Sequence, residues 1–265
     1  MNIEGQFQLV FGDGSNMEIL RNGEVDLVFT GPPYFPDATE ELLRKPVKEQ
    51  TDLVRVRNEV TAFAMGLRPV YEEIRRVLRP GGFLVIQIKD IHYAGVLISL
   101  TALHREMAES TGLNLLGRVF WHKFSRRSKA RRFLDQPVVG SFRSDEVEEI
   151  LIFSDRESDS QAHGLVDLSE GELKKMSSPL WVMAPAGSRR EHPHKAPSAM
   201  VRRMIALFTE PGDLVVDPFA GSGTTLAMAV EMGRRAVGYE IQERYAKIAT
   251  DAVCRAIEEK RKADS

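Results

Sequence analysis

A chain of 265 residues, 43% of them hydrophobic, can bury a substantial core as one elaborated domain and is too short for two large independent ones. The single cysteine, Cys254, excludes an intramolecular disulfide framework and any all-cysteine metal site; with no signal-like start and no apolar run long enough to span a membrane, a soluble, cytoplasmic protein is expected. The formal charge of −2 hides a segregation, since Arg118–Arg143 carries eight Lys or Arg against Asp135 alone, and Asp145–Glu172 carries ten acids against Arg156 alone. A basic surface on a near-neutral chain suits a polyanion contacted on one side, and the acidic run reads as a solvated counterweight.

Short β-branched runs alternate with longer helical patterns, which predicts an α/β fold with a mostly parallel, doubly wound sheet over residues 1–265 as a single domain. The first run, "FQLVFG", leads into an Asp-Gly turn at Asp13. The second, "VDLVFTG", runs into Pro32, Pro33 and Tyr34, so the chain leaves the sheet in a rigid, extended form. Residues 36–56 lack periodicity and read as a mobile loop. One helix is expected from Arg57 to Leu78, stopped by "RPGG", then the strand "GFLVIQI" and a helix from Gly95 to Thr111. "LLGRVFWH" and "VEEILIFS" have only the basic stretch between them and are expected to form an antiparallel pair appended to the sheet, with Trp121 in the core. Residues 154–190 read as a small inserted segment. Helices over Ser198–Phe208, Thr224–Met232 and Gln242–Lys260 alternate with the strands "DLVVDPF" and "RRAVGYE"; Cys254 reads as a small apolar residue on a buried face of the last helix.

The segment from Asp217 to Glu240 is strand, glycine turn, helix and second strand, a βαβ nucleotide-binding unit. Gly221 and Gly223 remove side chains where backbone amides must approach a ligand, and Glu240 ends the next strand, where an acid can accept hydrogen bonds from ribose hydroxyls. Leu226 stands where the third glycine of a dinucleotide fingerprint belongs, and no Gly-Lys-Ser/Thr follows, so the nicotinamide reading is weak and a P-loop is excluded. His192 and His194, with Lys195, provide two imidazoles and no third ligand, so no metal is expected.

"DPFAGSGTT", with Asp217, Phe219, Ala220, Gly221, Ser222, Gly223 and Thr224, is similar to the S-adenosylmethionine loop of DNA amino-methyltransferases, and "GYEIQERYAKIA" resembles the segment that follows it. "HPHKAPSAMVRRMIALFTEPGD" looks like the segment preceding that loop, and "TGPPYF" is similar to the family's catalytic motif. The catalytic motif precedes the cofactor motif, as in the β group, in which the Rossmann-like methyltransferase sheet is circularly permuted. The resemblance implies S-adenosylmethionine as cofactor, Asp13 near its adenine, Ser198 capping a helix beside its methionine part and Thr224 near its carboxylate. It implies double-stranded DNA as substrate, with 154–190 as target-recognition segment, and brings in a homodimer and a cognate restriction enzyme as partner expectations.

An exocyclic base amine is a poor nucleophile because its lone pair is delocalised into the ring, so methylation needs acceptors for the amine hydrogens that favour a pyramidal nitrogen. The resemblance assigns Thr30, Gly31, Pro32, Pro33 and Tyr34 to this end of the site, the Pro32 carbonyl as one acceptor and Tyr34 stacking on a base rotated out of the duplex. The family usually supplies the second acceptor from Asp, Asn or Ser before the prolines, where this chain has Gly31; Thr30, Asp37, a backbone carbonyl or a water are the candidates in its place. "FTGPPYF" is closer to the form common in cytosine-N4 enzymes than to that of adenine-N6 enzymes. Cytosine N4 is thus the expected target, with adenine N6, RNA as substrate, or a nucleic-acid-binding regulator of weakened turnover as alternatives. Cys254 lies far from any Pro-Cys motif, which argues against methylation at cytosine carbon 5. Lys123, Arg126, Arg127, Lys129, Arg131 and Arg132 fall after "VFWH" and are expected to bind DNA phosphates.

Overall fold

The computed structural model describes residues 2–3, 5–35, 50–93, 96–123, 147–155, 168–185 and 196–263. Its strands are β1 (Asn2–Ile3), β2 (Phe7–Phe11), β3 (Val25–Thr30), β4 (Leu78–Ile88), β5 (Ile91–Tyr93), β6 (Val96–Ile98), β7 (Asn114–Lys123), β8 (Val147–Ser154), β9 (Leu180–Met183), β10 (Leu214–Asp217) and β11 (Arg235–Glu240). The helices are α1 (Gln50–Gly66), α2 (Arg68–Val77), α3 (Leu100–Ser110), α4 (Glu170–Met176), α5 (Ser198–Phe208), α6 (Thr224–Glu231) and α7 (Glu243–Ala263).

Nine strands form one sheet in the order β1-β2-β11-β10-β3-β4-β8-β7-β9, and β5 pairs with β6 as a separate hairpin. Strands β2, β11, β10, β3 and β4 run parallel, β8 is antiparallel to both β4 and β7, and β9 is parallel to β7. The expected antiparallel pair is therefore present. The alternation along β3 shows how the layers arise: Leu27 and Phe29 pack with Met200, Leu226 and Val253 of α5, α6 and α7, while Val28 packs on the other face with Val60, Ile74 and Leu100 of α1, α2 and α3. The chain leaves β3 toward α1, α2 and β4 on one side, and leaves β10 toward α6 and β11 on the other. Strands β3 and β10 thus flank the point where the winding reverses, and a crevice at their carboxyl ends follows.

Several expected boundaries differ. The helix expected from Arg57 begins at Gln50, so residues 50–56 are helical, whereas residues 36–49 of the expected loop lie outside the described residues. It breaks at Leu67 because Pro69 lacks an N–H to continue the ladder; Pro69 instead sits in the first turn of α2, where that donor would be unpaired in any case. The helix expected from Gly95 starts at Leu100, with Ser99 as N-cap accepting from the Ala102 amide, and the residues before it form the β5–β6 hairpin. Within 154–190, the described part folds as α4, closed by a Ser169/Glu172 capping box, and as β9 on the outer edge of the sheet. Trp121 is buried in the core, its indole N–H donating to the Met183 carbonyl. Cys254 is half-buried on α7.

Candidate active site

At the carboxyl end of β10 the chain turns through Asp217–Gly223 into α6. Gly221 and Gly223 have φ of 50° and 75°, in the left-handed region that side chains disfavour, and a Cβ on Gly223 would lie 2.7 Å from Ala249 of α7. The loop is bound to its neighbours on both sides. The Ala220 amide donates to the Tyr239 carbonyl (2.9 Å), and the Gly221 amide donates to Glu240 Oε2 (2.8 Å). Glu240 Oε1 accepts from the Gln242 amide (2.8 Å). Each oxygen of this buried carboxylate therefore holds one backbone amide and keeps acceptor capacity for a hydroxyl.

The turn after β2 reaches the same place. A Cβ on Gly14 would meet Pro218 at 2.7 Å, so glycine lets the Asp13 turn lie against the Asp217–Pro218 corner. Asp13 Oδ1 accepts from the Ser15 amide (2.9 Å). Phe11, level with Glu240 across the β2–β11 pair, and Ile241 after it are both 65% exposed, although large and apolar. Paired apolar side chains exposed beside a buried carboxylate suit a flat ring.

Thr30 links this loop to the β3 exit: its hydroxyl donates to Asp217 Oδ1 (2.7 Å), which also accepts from the Phe219 amide (3.1 Å). Burial pushes the Asp217 carboxyl up to about 6, and Glu240 pushes it the same way, against hydrogen bonds from Thr30, Thr225 and the Phe219 amide. Beyond Thr30, Gly31 and Pro33 are exposed, while Pro32 and Tyr34 are buried. Burial and the charge of Glu148 hold the Tyr34 phenol well above its usual range, so it stays neutral. The Lys89 ammonium lies 5.7 Å from the Tyr34 ring centre.

The structure brings Thr30, Asp217, Phe219, Ala220, Gly221, Gly223 and Glu240 together, with Asp13 on the adjoining turn. Ser222 and Thr224 are buried at the start of α6, their hydroxyls 3.3 Å apart. Ser198 does not cap its helix. Pro197, in an extended conformation, is the N-cap, its carbonyl accepting from the Met200 and Val201 amides, and Ser198 is the exposed first helical residue. The Lys123 ammonium is paired with the buried Glu148 carboxylate and lies 5.1 Å from the Trp121 ring centre, so it points into the protein. Asp37, Arg126, Arg127, Lys129, Arg131, Arg132, His192, His194 and Lys195 lie outside the described residues. Among the described residues, no group of three His, Cys, Asp or Glu is arranged to hold a metal.

Reading the sequence missed Phe11, Ile241, Thr225, Gln87 and Glu148. The signal for Ile241 was an apolar residue directly after a strand-ending acid, and that for Glu148 was strand alternation, which puts it on the same face as the buried Ile150.

A mostly parallel sheet that turns a glycine loop and a Pro-Pro-Tyr exit toward one crevice has the form of a nucleotide-binding α/β fold. Within that class the chain belongs to the N6/N4 methyltransferase family, whose model, described as DNA methylase, matches residues 25–251. It is 28% identical to the type II methyltransferase M.MjaI of Methanocaldococcus jannaschii over 92% of this chain and 89% of that one. TTHA0409 of Thermus thermophilus, described as a DNA modification methylase, superposes with a TM-score of 0.71 at 26% identity, covering 95% of each chain, and has also been crystallised with S-adenosyl-L-methionine. The cytosine-N4-specific PvuII DNA methyltransferase, at 19% identity, shares the fold with a TM-score of 0.69 over 96% of this chain and 93% of that one. S-adenosylmethionine is the cofactor of this family, and the residues present fit it: a carboxylate with spare acceptors for a ribose, apolar neighbours for an adenine, and a glycine cradle that a Cβ would obstruct.

Proposed function

We propose that this chain is a site-specific methyltransferase acting on the exocyclic amine of a flipped-out base in double-stranded DNA, with cytosine N4 as its target. The observation that carries the reading is the 2.7 Å hydrogen bond from Thr30 to Asp217, which fixes the start of Gly31-Pro32-Pro33-Tyr34 against the glycine loop. When bound, S-adenosylmethionine supplies a methyl group on a sulfonium, electrophilic enough for a weakly nucleophilic amine. The protein's own groups do the rest. Glu240 holds the ribose hydroxyls, Phe11 and Ile241 clasp the adenine with Asp13 at its edge, and Ser222, Thr224 and Ser198 line the methionine end. The Pro32 carbonyl accepts one amine hydrogen and so favours a pyramidal nitrogen. Tyr34, held neutral by burial, offers its ring to the base. Residues 154–190 read the target sequence, and the basic residues after Lys123 bind phosphates.

Likeness to the Thr-Ser-Pro-Pro-Tyr form of the catalytic motif supports cytosine over adenine. The test is to incubate the chain with labelled S-adenosylmethionine and mixed DNA and RNA, digest to nucleosides and separate them. Label in N4-methyl-2′-deoxycytidine of the DNA fraction is the expected result. Label in N6-methyladenine would overturn the choice of base, and label in the RNA fraction the choice of substrate.

A further inference from the structure

Gly31 stands where relatives of this motif carry an acceptor side chain, yet nothing in the backbone demands glycine there. Its φ lies outside the left-handed region, and a Cβ would meet only the backbone carbonyl of Gln87, at an ordinary 3.6 Å. The glycine therefore leaves a side chain's worth of room against the β4 backbone at Gln87. The parallel β3–β4 register, which pairs Thr30 with Ile86, sets Gly31 next to Gln87 on the next strand.

Gln87 is an amide buried at the end of a strand whose other side chains are nearly all apolar, 6% exposed, and its orientation is determined. Glu148 of β8, itself only 4% exposed, takes the Gln87 Nε2 hydrogen bond on Oε2 (2.5 Å) and the Lys123 ammonium on Oε1. A carboxylate can only accept, so the amide must turn its NH2 toward Glu148, and its carbonyl oxygen Oε1 is the atom left to accept from something else. The same carboxylate is close enough to Tyr34 for its charge to act on the phenol, so the network borders the residue on which the base is to stack. A buried carboxylate and a buried amide are costly to retain beside a sheet core unless each is satisfied. Among the described residues the pairs above satisfy the carboxylate and leave one amide acceptor over.

We infer that Gln87 Oε1 is the second acceptor for the target amine, occupying the role left vacant at Gly31, and that Glu148, anchored by Lys123, is the positioning residue that presents it. The assignment rests on the amino-methyltransferase reading. The amide accepts a hydrogen bond and not a proton; with the Pro32 carbonyl it holds both amine hydrogens, and the proton released after transfer leaves to water.

Turnover on a DNA substrate, with the dissociation constant for S-adenosylmethionine and the melting temperature measured alongside, tests this in four chains. Gln87→Met keeps length and shape but loses the acceptor; kcat is expected to fall on the order of 10²-fold while cofactor affinity stays within about twofold. Adding Gly31→Ser to Gln87→Met restores the family's own acceptor and is expected to recover kcat at least about tenfold. Glu148→Gln, isosteric but able to pair with either end of the Gln87 amide, is expected to lower kcat about three- to tenfold, and the Gln87→Met/Glu148→Gln double variant to be no slower than Gln87→Met alone. A Gln87→Met chain within threefold of the native kcat, or one that Gly31→Ser fails to rescue, overturns the role of Gln87. Additive losses in the double variant overturn the positioning role of Glu148. If Gln87→Met does not fold, Glu148→Gln carries the decision, a native kcat there counting against the pair. A native chain that labels no base would sink the amino-methyltransferase reading itself, an outcome separate from active chains that ignore Gln87.

Discussion

Asp217 is held by burial with a carboxyl that ionises near pH 6, although an unfolded chain would ionise it near 3.8. Keeping it charged in the fold costs roughly 3 kcal/mol, so its contribution to stability is present below about pH 3.8 and is lost as pH rises through about 6. Asp217→Asn keeps a carbonyl oxygen for the Thr30 and Phe219 donors and cannot ionise. Urea unfolding should therefore show the variant gaining on the native chain by roughly 1 to 1.5 kcal/mol between pH 5 and pH 7.5; a gap that does not change with pH would refute the burial argument. Glu240 calls for a different measurement, because its two oxygens already hold the Gly221 and Gln242 amides. Glu240→Ala should weaken S-adenosylmethionine binding about 10- to 100-fold by calorimetry, and an unchanged affinity would remove Glu240 from the ribose.

Helices α2 and α3 are joined inside the core by a hydrogen bond between Tyr71 Oη and His104 Nδ1 (2.6 Å), and burial lowers the His104 imidazole to about 4. Burial disfavours the charged ring, so the stability His104 contributes is whole above about pH 6.5 and is lost as pH falls toward 4. His104→Gln can still hydrogen-bond with Tyr71 but cannot ionise, and should lose about 2 kcal/mol less than the native chain between pH 7.5 and pH 5, a trend opposite in sign to that of Asp217. Equal losses would place the charge change elsewhere. These packing elements also mark how far the sequence could be read. Strands β2, β3, β4, β7, β8, β10 and β11 stood out as β-branched runs, because a sheet covered on both faces needs apolar residues throughout. Strand β9 did not, since an edge strand with Leu180 and Val182 exposed has no hydrophobic alternation to show. The split at Pro69 was legible in principle and was hidden by the apolar period on either side of it. Asp217 and Glu240 were found through a glycine motif, whereas Gln87 and Glu148 come together only when β4 and β8 pair, and Glu148 sits within an acidic run that suggests solvent.

On the scale of the whole molecule, charge decides how a near-neutral chain could hold a polyanion. Among the described residues no helix is long and apolar enough to cross a membrane, and the concentrated basic charge lies between β7 and β8, the strand pair that flanks the β4 edge of the crevice. Lys123 is paired with Glu148 and drops out of the proposed phosphate-binding set, which leaves Arg126, Arg127, Lys129, Arg131 and Arg132 as its proposed members. If each neutralises one DNA phosphate, counterion release gives the logarithm of affinity a slope against log salt that steepens by about 0.9 per contact. Replacing all five with Ser should then flatten that slope by about 4.5 while leaving S-adenosylmethionine binding unaltered, because the residues proposed to hold the cofactor lie on β11, on the turns after β2 and β10, and at the starts of α5 and α6. A slope that stays steep in the five-fold variant would move the DNA-binding surface away from the β7–β8 connection. Affinity lost together with cofactor binding would instead mean that the connection supports the fold.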